Sequence, residues 1–96
     1  MRRRKKLIRN YQRKYRRLIG YDQEDAAHKL HHQSTAVISR WEKGLAMPSA
    51  ENLLKLSRLY KVLPQELYPE LDKAIIKDLY PDAPETFKWK RKGSDP

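Results

Sequence analysis

The chain reads QEDAAHKL at residues 23–30, HHQ at 31–33, STAVISRWEKG at 34–44 and PSAENLLKL at 48–56, and these four segments decide its fold. In the segments at 23–30, 34–44 and 48–56, apolar residues recur about every three or four positions, which is typical of amphipathic helices. The short polar segment at 31–33 is typical of a turn. The sequence therefore predicts two short helices joined by a tight turn and followed by another helix.

Local signals predict where these helices begin and end. Asp22 is a good N-cap for helix 2 and Ser34 for helix 3, because both side chains can accept a hydrogen bond from an unpaired backbone N–H. Gly44 ends helix 3, and Ser49 after Pro48 caps helix 4. A small residue where helices 2 and 3 meet lets them cross closely. The predicted inward-facing residues of the two helices are small or apolar: Ala26, Ala27, Leu30, Ile38 and Trp41.

The flanking regions predict further helices. An apolar stripe of Ile8, Tyr11, Tyr15 and Leu18 favours helix 1 over about residues 5–19. A short helix 5 over 64–67 and a sixth helix over about 71–80 follow helix 4. The expected organisation is a basic flexible arm (1–5), a helical domain (6–68), an additional helix (69–80) and a flexible tail (81–96). The expected fold class is all-α, a compact bundle of about five helices with a sixth at its C-terminal end.

Composition limits the partners of the protein. There is no cysteine, and so neither a disulfide nor a thiolate metal site is expected. No apolar run is long enough to cross a membrane or direct export, so a cytoplasmic location is the default expectation. The net charge is +10, and residues 1–17 carry ten basic residues and no acidic one. Such a basic end indicates a polyanionic partner, although a solvated tail that only aids solubility is the alternative.

The outward face of helix 3 has the chemistry of a DNA-reading surface. A short helix with a polar, cationic outer face can enter the major groove of DNA. Arg40 can form a bidentate pair with guanine, whereas Ala36 and Val37 offer apolar contact to a thymine methyl group. A plain phosphate contact for Arg40, a partly buried core position for Val37 and a solvated role for Lys43 remain open. The outward positions are Thr35, Ala36, Val37, Ser39, Arg40 and Lys43.

Together these features resemble the phage-repressor and Cro type of helix-turn-helix, also called the Xre-like family. The resemblance extends from about Ile8 to Leu67. In such proteins about five helices form a compact bundle, and helix 3 (here about 35–43) lies in the major groove. The segments that carry the resemblance are Gln23-Glu24, Ala27, Leu30, Ile38-Ser39-Arg40-Trp41-Glu42-x-Gly44, Pro48-Ser49 and residues 53–59.

The resemblance implies a role for individual residues. Gln23 would contact a phosphate, and its amide can also brace a side chain of helix 3. Base reading would fall to residues 35–37 and to Arg40 one turn later, while Ser34 and Lys43 would touch phosphates. Arg16 and Glu42 would form a structural ion pair rather than a DNA contact. The predicted DNA-binding residues are therefore Gln23, Ser34, Thr35, Ala36, Val37, Ser39, Arg40 and Lys43.

The turn between helices 2 and 3 departs from the usual family pattern. His31 stands where glycine is usual after the last leucine of helix 2. The turn is also one residue longer, since three residues rather than two separate Leu30 from Ser34. These departures leave open which of residues 35–37 reaches a base.

Other chemistries have little support in the sequence. His28, His31 and His32 are good zinc ligands in type, but no cysteine or suitably spaced carboxylate completes a set. No pair of nucleophile and base stands out, and no glycine-rich loop could hold a phosphate. Neither an enzyme, nor a metal site, nor a cofactor is predicted.

The sequence as a whole predicts a sequence-specific regulator of transcription that binds double-stranded DNA and acts as a repressor by occupying a promoter. One alternative is an antitoxin that binds a toxin and represses its own operon, and another is a protein- or RNA-binding use of the same fold. The stripe of Leu71, Ala74, Ile75 and Leu79 either completes the core or pairs with its symmetry mate in a homodimer. A protein partner could use this stripe, between Leu71 and Leu79, or the tail.

Overall fold

The computed structural model describes residues 7–31 and 34–82, and over these residues the chain is helical with no strand. This confirms the expected all-α class. Residues 1–5 of the predicted arm and residues 83–96 of the predicted tail lie outside the described residues. The six helices are α1 (Gln12–Leu18), α2 (Gln23–Lys29), α3 (Thr35–Glu42), α4 (Ala50–Tyr60), α5 (Pro64–Leu67) and α6 (Pro69–Leu79).

The core forms where α2 and α3 cross. Ala26 and Ile38 are completely buried, and Ala27 and Trp41 nearly so. The two alanines are small enough for the helix axes to approach closely, so the larger side chains of α3 fill the space beneath. The inward faces predicted for both helices are confirmed. The rest of the core comes from the end of α2, from α4 and from the region of α5: Leu30, Leu56, Tyr60, Leu67 and Tyr68.

Side-chain caps begin the helices at the predicted residues. Asp22 accepts a hydrogen bond from the backbone N–H of Asp25 at 2.7 Å, and the Asp25 carboxylate accepts one from the backbone N–H of Asp22 at 3.0 Å. The hydroxyls of Ser34 and Ser49 each accept a hydrogen bond from the backbone N–H three residues later, at 3.2 Å in both cases. Each cap stabilises its helix by about 1 kcal/mol. α5 also runs to Leu67 as predicted.

Helix α1 begins later than its apolar stripe predicts. Residues 7–11 are not helical, because two of their backbone N–H groups bond to distant parts of the chain. The Ile8 N–H donates to the Gly44 carbonyl at 3.0 Å, and the Tyr11 N–H donates to the Leu67 carbonyl at 2.9 Å. The helix begins at Gln12, whose backbone N–H donates a hydrogen bond to the Asn10 Oδ1 at 3.1 Å. The predicted start is therefore wrong for residues 7–11.

The predicted buried face of α1 is also wrong in part. Leu18 is 71% exposed and Tyr11 is exposed, whereas the buried positions are the polar Gln12 and Arg16. Polar side chains can occupy this face because the Gln12 Nε2 donates to the Tyr68 hydroxyl and Arg16 pairs with Glu42. The Gln12 Oε1 is buried without a hydrogen-bond partner among the described residues. Apolar periodicity alone does not detect a helix that is packed through polar side chains.

Helix α6 begins two residues before the predicted position, with Pro69 in its first turn, and ends before Tyr80. None of its residues is fully buried. Leu71 packs against the core, but Ile75 is exposed and Leu79 is 63% exposed. Only the first residue of the apolar stripe therefore completes the core of this chain.

Candidate nucleic-acid interface

Helix α3 presents one buried and one exposed face. Ile38 and Trp41 fasten it to the core, and Asn10 adds a hydrogen bond from its Nδ2 to the Trp41 carbonyl at 3.0 Å. The predicted contact residues lie on α3 or at its ends, except for Gln23, which begins α2. Ser34, Thr35, Ala36, Arg40 and Lys43 are exposed, while Gln23, Val37 and Ser39 are half-buried.

Val37 has a double position. It packs against the core and keeps part of its side chain accessible. Its backbone N–H also donates to the Ser34 hydroxyl, which fixes the first turn of α3. The part of Val37 that could touch a base is therefore small, and the exposed Thr35 and Ala36 lie further outward.

The ion pair expected between Arg16 and Glu42 is present in the structure. The Arg16 Nε lies 2.6 Å from the Glu42 Oε2, and a second guanidinium nitrogen lies 3.1 Å from Oε1. The two side chains are only 7% and 4% exposed. A bidentate pair of this kind is strong and directional. It joins the middle of α1 to the C-terminal end of α3.

Two further hydrogen bonds complete this buried network. Arg16 donates to the Tyr21 carbonyl at 2.9 Å, and the Gln23 side-chain amide donates to the Glu42 Oε1 at 3.1 Å. The hydrogen bond to Glu42 raises the pKa of Arg16, against the opposing effect of burial. Gln23 thus braces a side chain of α3, which is one of the two roles that the resemblance implies for it.

An open groove of about 480 Å³ lies between α1, the start of α2 and the end of α3. We call it the α1–α3 groove. Its lining includes the predicted contact residues Gln23, Ser39 and Lys43, and it also includes Arg13 and Arg17, which sequence reasoning did not single out as contacts. The sequence signal that could have identified them is their four-residue spacing, which places both arginines on one side of helix 1. The groove is lined by Arg13, Arg16, Arg17, Asp22, Gln23, Ser39, Glu42 and Lys43.

The turn before α3 has an unusual backbone conformation. His31 has a φ of +66°, in the left-handed region that glycine adopts more readily. This accounts for the usual preference for glycine at this position. His32 and Gln33, the other residues of the predicted turn, lie outside the described residues.

The described residues, 7–31 and 34–82, also bear on metal binding and on membrane insertion. In these residues no three His, Cys, Asp or Glu side chains are grouped as they would be around a metal ion. His32, part of the histidine cluster in the sequence, is outside this range. Within the same residues, no helix has the length and apolar character needed to cross a membrane.

Helix α3 is fastened through its inner face, exposes a cationic outer face and follows the closely packed α2. This arrangement defines a helix-turn-helix protein. A family model described as helix-turn-helix matches residues 12–67, more than half of the chain. The chain belongs to this Xre/Cro-like family, which is a family of DNA-binding regulatory proteins. Searches of curated proteins and of solved structures gave no match.

Proposed function

We propose that this protein is a sequence-specific regulator that places α3 in the major groove of duplex DNA and represses transcription by occupying a promoter. The observation that carries the proposal is the two-sided character of α3. Ile38 and Trp41 hold the helix in the core, while Thr35, Ala36 and Arg40 face solvent. Repression by occupancy needs no effector or activation domain.

Base reading falls to three residues. Thr35 and Ala36 lie in the first turn of α3, the end that points toward base edges in this docking mode. Thr35 can donate or accept one hydrogen bond, and Ala36 leaves room for a thymine methyl group. Arg40, about one turn later, can reach guanine O6 and N7. Val37 contributes at most a small apolar contact, since much of it packs against the core.

Other residues would contact backbone phosphates of the DNA. The Ser34 hydroxyl accepts the capping hydrogen bond, so its own O–H can be donated to a phosphate. The Gln23 amide carries two hydrogens, of which one is directed to Glu42, and the second can be donated outward. Lys43 at the end of α3 adds a cation. Such contacts position the protein without reading sequence.

We further propose that two copies bind together on a two-fold symmetric site. The support is α6, where Ile75 and Leu79 stay exposed after Leu71 has joined the core. A second copy packing on this stripe would cover it and would place two α3 helices on half-sites about one DNA turn, roughly 34 Å, apart.

The test is selection from a randomised duplex library with the wild type, Arg40→Ala and Arg58→Ala. Arg58 is an exposed arginine on α4 and provides the matched loss of one charge. The wild type should enrich a short motif repeated with two-fold symmetry, and Arg58→Ala should enrich the same motif. Arg40→Ala should lose discrimination at one position per half-site, by about 1–3 kcal/mol, while it keeps salt-sensitive binding.

Two results would contradict parts of this proposal. If no motif is enriched and all three proteins bind equally, α3 does not read sequence, and the DNA-regulator function is wrong. If a single, unrepeated motif is enriched, the reading by α3 stands but the two-copy arrangement is wrong.

A further inference from the structure

The α1–α3 groove brings basic side chains from two helices together. Arg13 and Arg17 are exposed and lie one turn apart on the same side of α1. Lys43, also exposed, faces them from the end of α3. Among the described residues none of these three cations forms an ion pair with a carboxylate. Their charges therefore remain uncompensated within this part of the protein.

The two carboxylates of the groove are already engaged. Glu42 is held by Arg16 and by the Gln23 amide. Asp22 accepts the capping hydrogen bond from the Asp25 N–H at 2.7 Å. With four cations against these two carboxylates, the groove carries an excess of positive charge. Two like charges one helical turn apart repel each other, and a bound anion would relieve that repulsion.

A buried polar network joins the helices that line the groove. Arg16 and Glu42 are nearly fully buried and form a bidentate pair, and Arg16 is also tied to the Tyr21 carbonyl. Because this network links α1 directly to α3, the part of α1 that carries Arg13 and Arg17 is tied to the helix that would read the bases. A ligand bound in the groove would thus have a defined position relative to α3.

We propose that the α1–α3 groove binds a backbone phosphate of the DNA strand that flanks α3, with Arg13 and Arg17 as its principal ligands and Lys43 opposite them. The inference rests on the proposed function and adds a second attachment surface to it. Arginine suits this role because its planar guanidinium can give a phosphate two parallel hydrogen bonds. The predicted contacts Gln23, Ser39 and Lys43 line the same groove, which places it beside the DNA-facing surface.

This contact would supply affinity and orientation, not sequence preference. The groove lies at the C-terminal end of α3, whereas Thr35 and Ala36 lie at the N-terminal end. A phosphate is the same at every step of the duplex, so binding it carries no direct base information. Loss of the contact should therefore weaken binding to all duplex sequences alike and reduce the salt dependence.

The experiment measures binding of the full chain to duplex DNA by fluorescence anisotropy over a series of salt concentrations. The variants are Arg13→Ala/Arg17→Ala, its charge-preserving counterpart Arg13→Lys/Arg17→Lys, and the control Lys55→Ala/Arg58→Ala. The control removes two exposed cations that lie about one helical turn apart on α4, and it leaves the proposed two-copy surface on α6 unchanged. Each protein is tested on the selected site and on an unrelated duplex, and thermal melting verifies that all variants fold.

The logarithm of the binding constant falls as the logarithm of the salt concentration rises. We expect the double alanine variant of α1 to make this slope less steep by about 1 on both duplexes, with the selected motif unchanged. The double lysine variant should restore the slope, and the α4 control should keep the wild-type slope. Equal slopes for the α1 and α4 alanine variants would overturn the proposal. Because the unrelated duplex needs no selected motif, this result is independent of whether α3 reads sequence.

Discussion

At the residue scale, the network around Arg16 shows how polar side chains can fix the position of a helix. Burying two charges costs free energy of solvation, which is recovered only when the geometry is good and the remaining hydrogen-bonding groups are satisfied. Arg16 meets this condition through Glu42 and the Tyr21 carbonyl, and Glu42 through Gln23 as well. The pair therefore specifies how α1 sits against α3.

Removal of the carboxylate should be strongly destabilising. Glu42→Ala leaves the Arg16 charge buried without its partner, and we expect the free energy of unfolding to fall by about 3 kcal/mol. Urea denaturation measures the change. The matched control is Glu51→Ala, which breaks an ion pair with Lys55 whose glutamate is 77% exposed, and it should leave stability nearly unchanged. Similar losses in the two variants would show that burial does not set the importance of the Arg16–Glu42 pair.

The sequence predicted some of these residue contacts and missed others. The Arg16–Glu42 pair was expected from the family resemblance, which supplies a long-range contact that composition cannot. The buried Gln12 was missed, because a glutamine on a helix gives no periodic signal. Its Nε2 donates to the Tyr68 hydroxyl at 2.6 Å across 56 residues of chain. Only the folded structure brings these two side chains together.

At the element scale, the end of α3 and the segment before α1 depend on one glycine. Gly44 has a φ of +77°, and its carbonyl accepts the hydrogen bond from the Ile8 N–H. A Cβ built on Gly44 would lie 2.8 Å from the Ile8 nitrogen and 2.9 Å from the Ile8 carbonyl carbon. Backbone atoms cannot move aside as a flexible side chain can. The segment over residues 7–11 is therefore docked against a position that admits only glycine.

Gly44→Ala should destabilise the protein more than Gly20→Ala does. Gly20 has a φ of +92° but open space around its Cβ position, so alanine there adds only backbone strain of about 1 kcal/mol. At Gly44 the same strain is joined by the clash with Ile8, and we expect a total loss of about 3 kcal/mol. Urea denaturation of both variants gives the comparison. Equal losses in the two variants would mean that the segment around Ile8 moves away from the added Cβ without a further loss of stability.

Prediction of the elements succeeded where the signals are local. The caps at Asp22, Ser34 and Ser49 depend on neighbours three residues away, and all three were predicted from the sequence. The start of α1 was missed because hydrogen bonds from Ile8 and Tyr11 to distant carbonyls compete with helix formation. For α6, the apolar stripe predicted a helix but could not tell whether it packs on this chain or on another molecule.

At the scale of the whole molecule, two buried tyrosines connect stability to pH. Burial raises the pKa of Tyr68 to about 12, and burial also raises the pKa of Tyr60. In the unfolded chain both hydroxyls ionise near pH 10. The stabilisation is therefore complete below about pH 10, and it decreases as the pH rises from there toward the higher values of the folded protein.

The free energy of unfolding should accordingly decrease above about pH 10, by up to about 1.4 kcal/mol per pH unit for each of these tyrosines. Denaturation with urea between pH 8 and 11 measures the profile. Tyr60→Phe should flatten it, and the variant loses no hydrogen bond because the Tyr60 hydroxyl has no partner within residues 7–31 and 34–82. Tyr11→Phe, at an exposed position, is the control and should keep the wild-type decrease. A Tyr60→Phe profile identical to that of the control would contradict the assignment.

The hydrogen bonds that join Tyr11 to Leu67 and Gln12 to Tyr68 have an architectural consequence. They make the two ends of the family-matched region, residues 12 and 67, neighbours in space. A unit whose chain enters and leaves at one place can be inserted into another protein, or joined to one at either side, without pulling its helices apart. Helix α3 would be carried along with its packing intact, so this bundle has the connectivity of a transferable module.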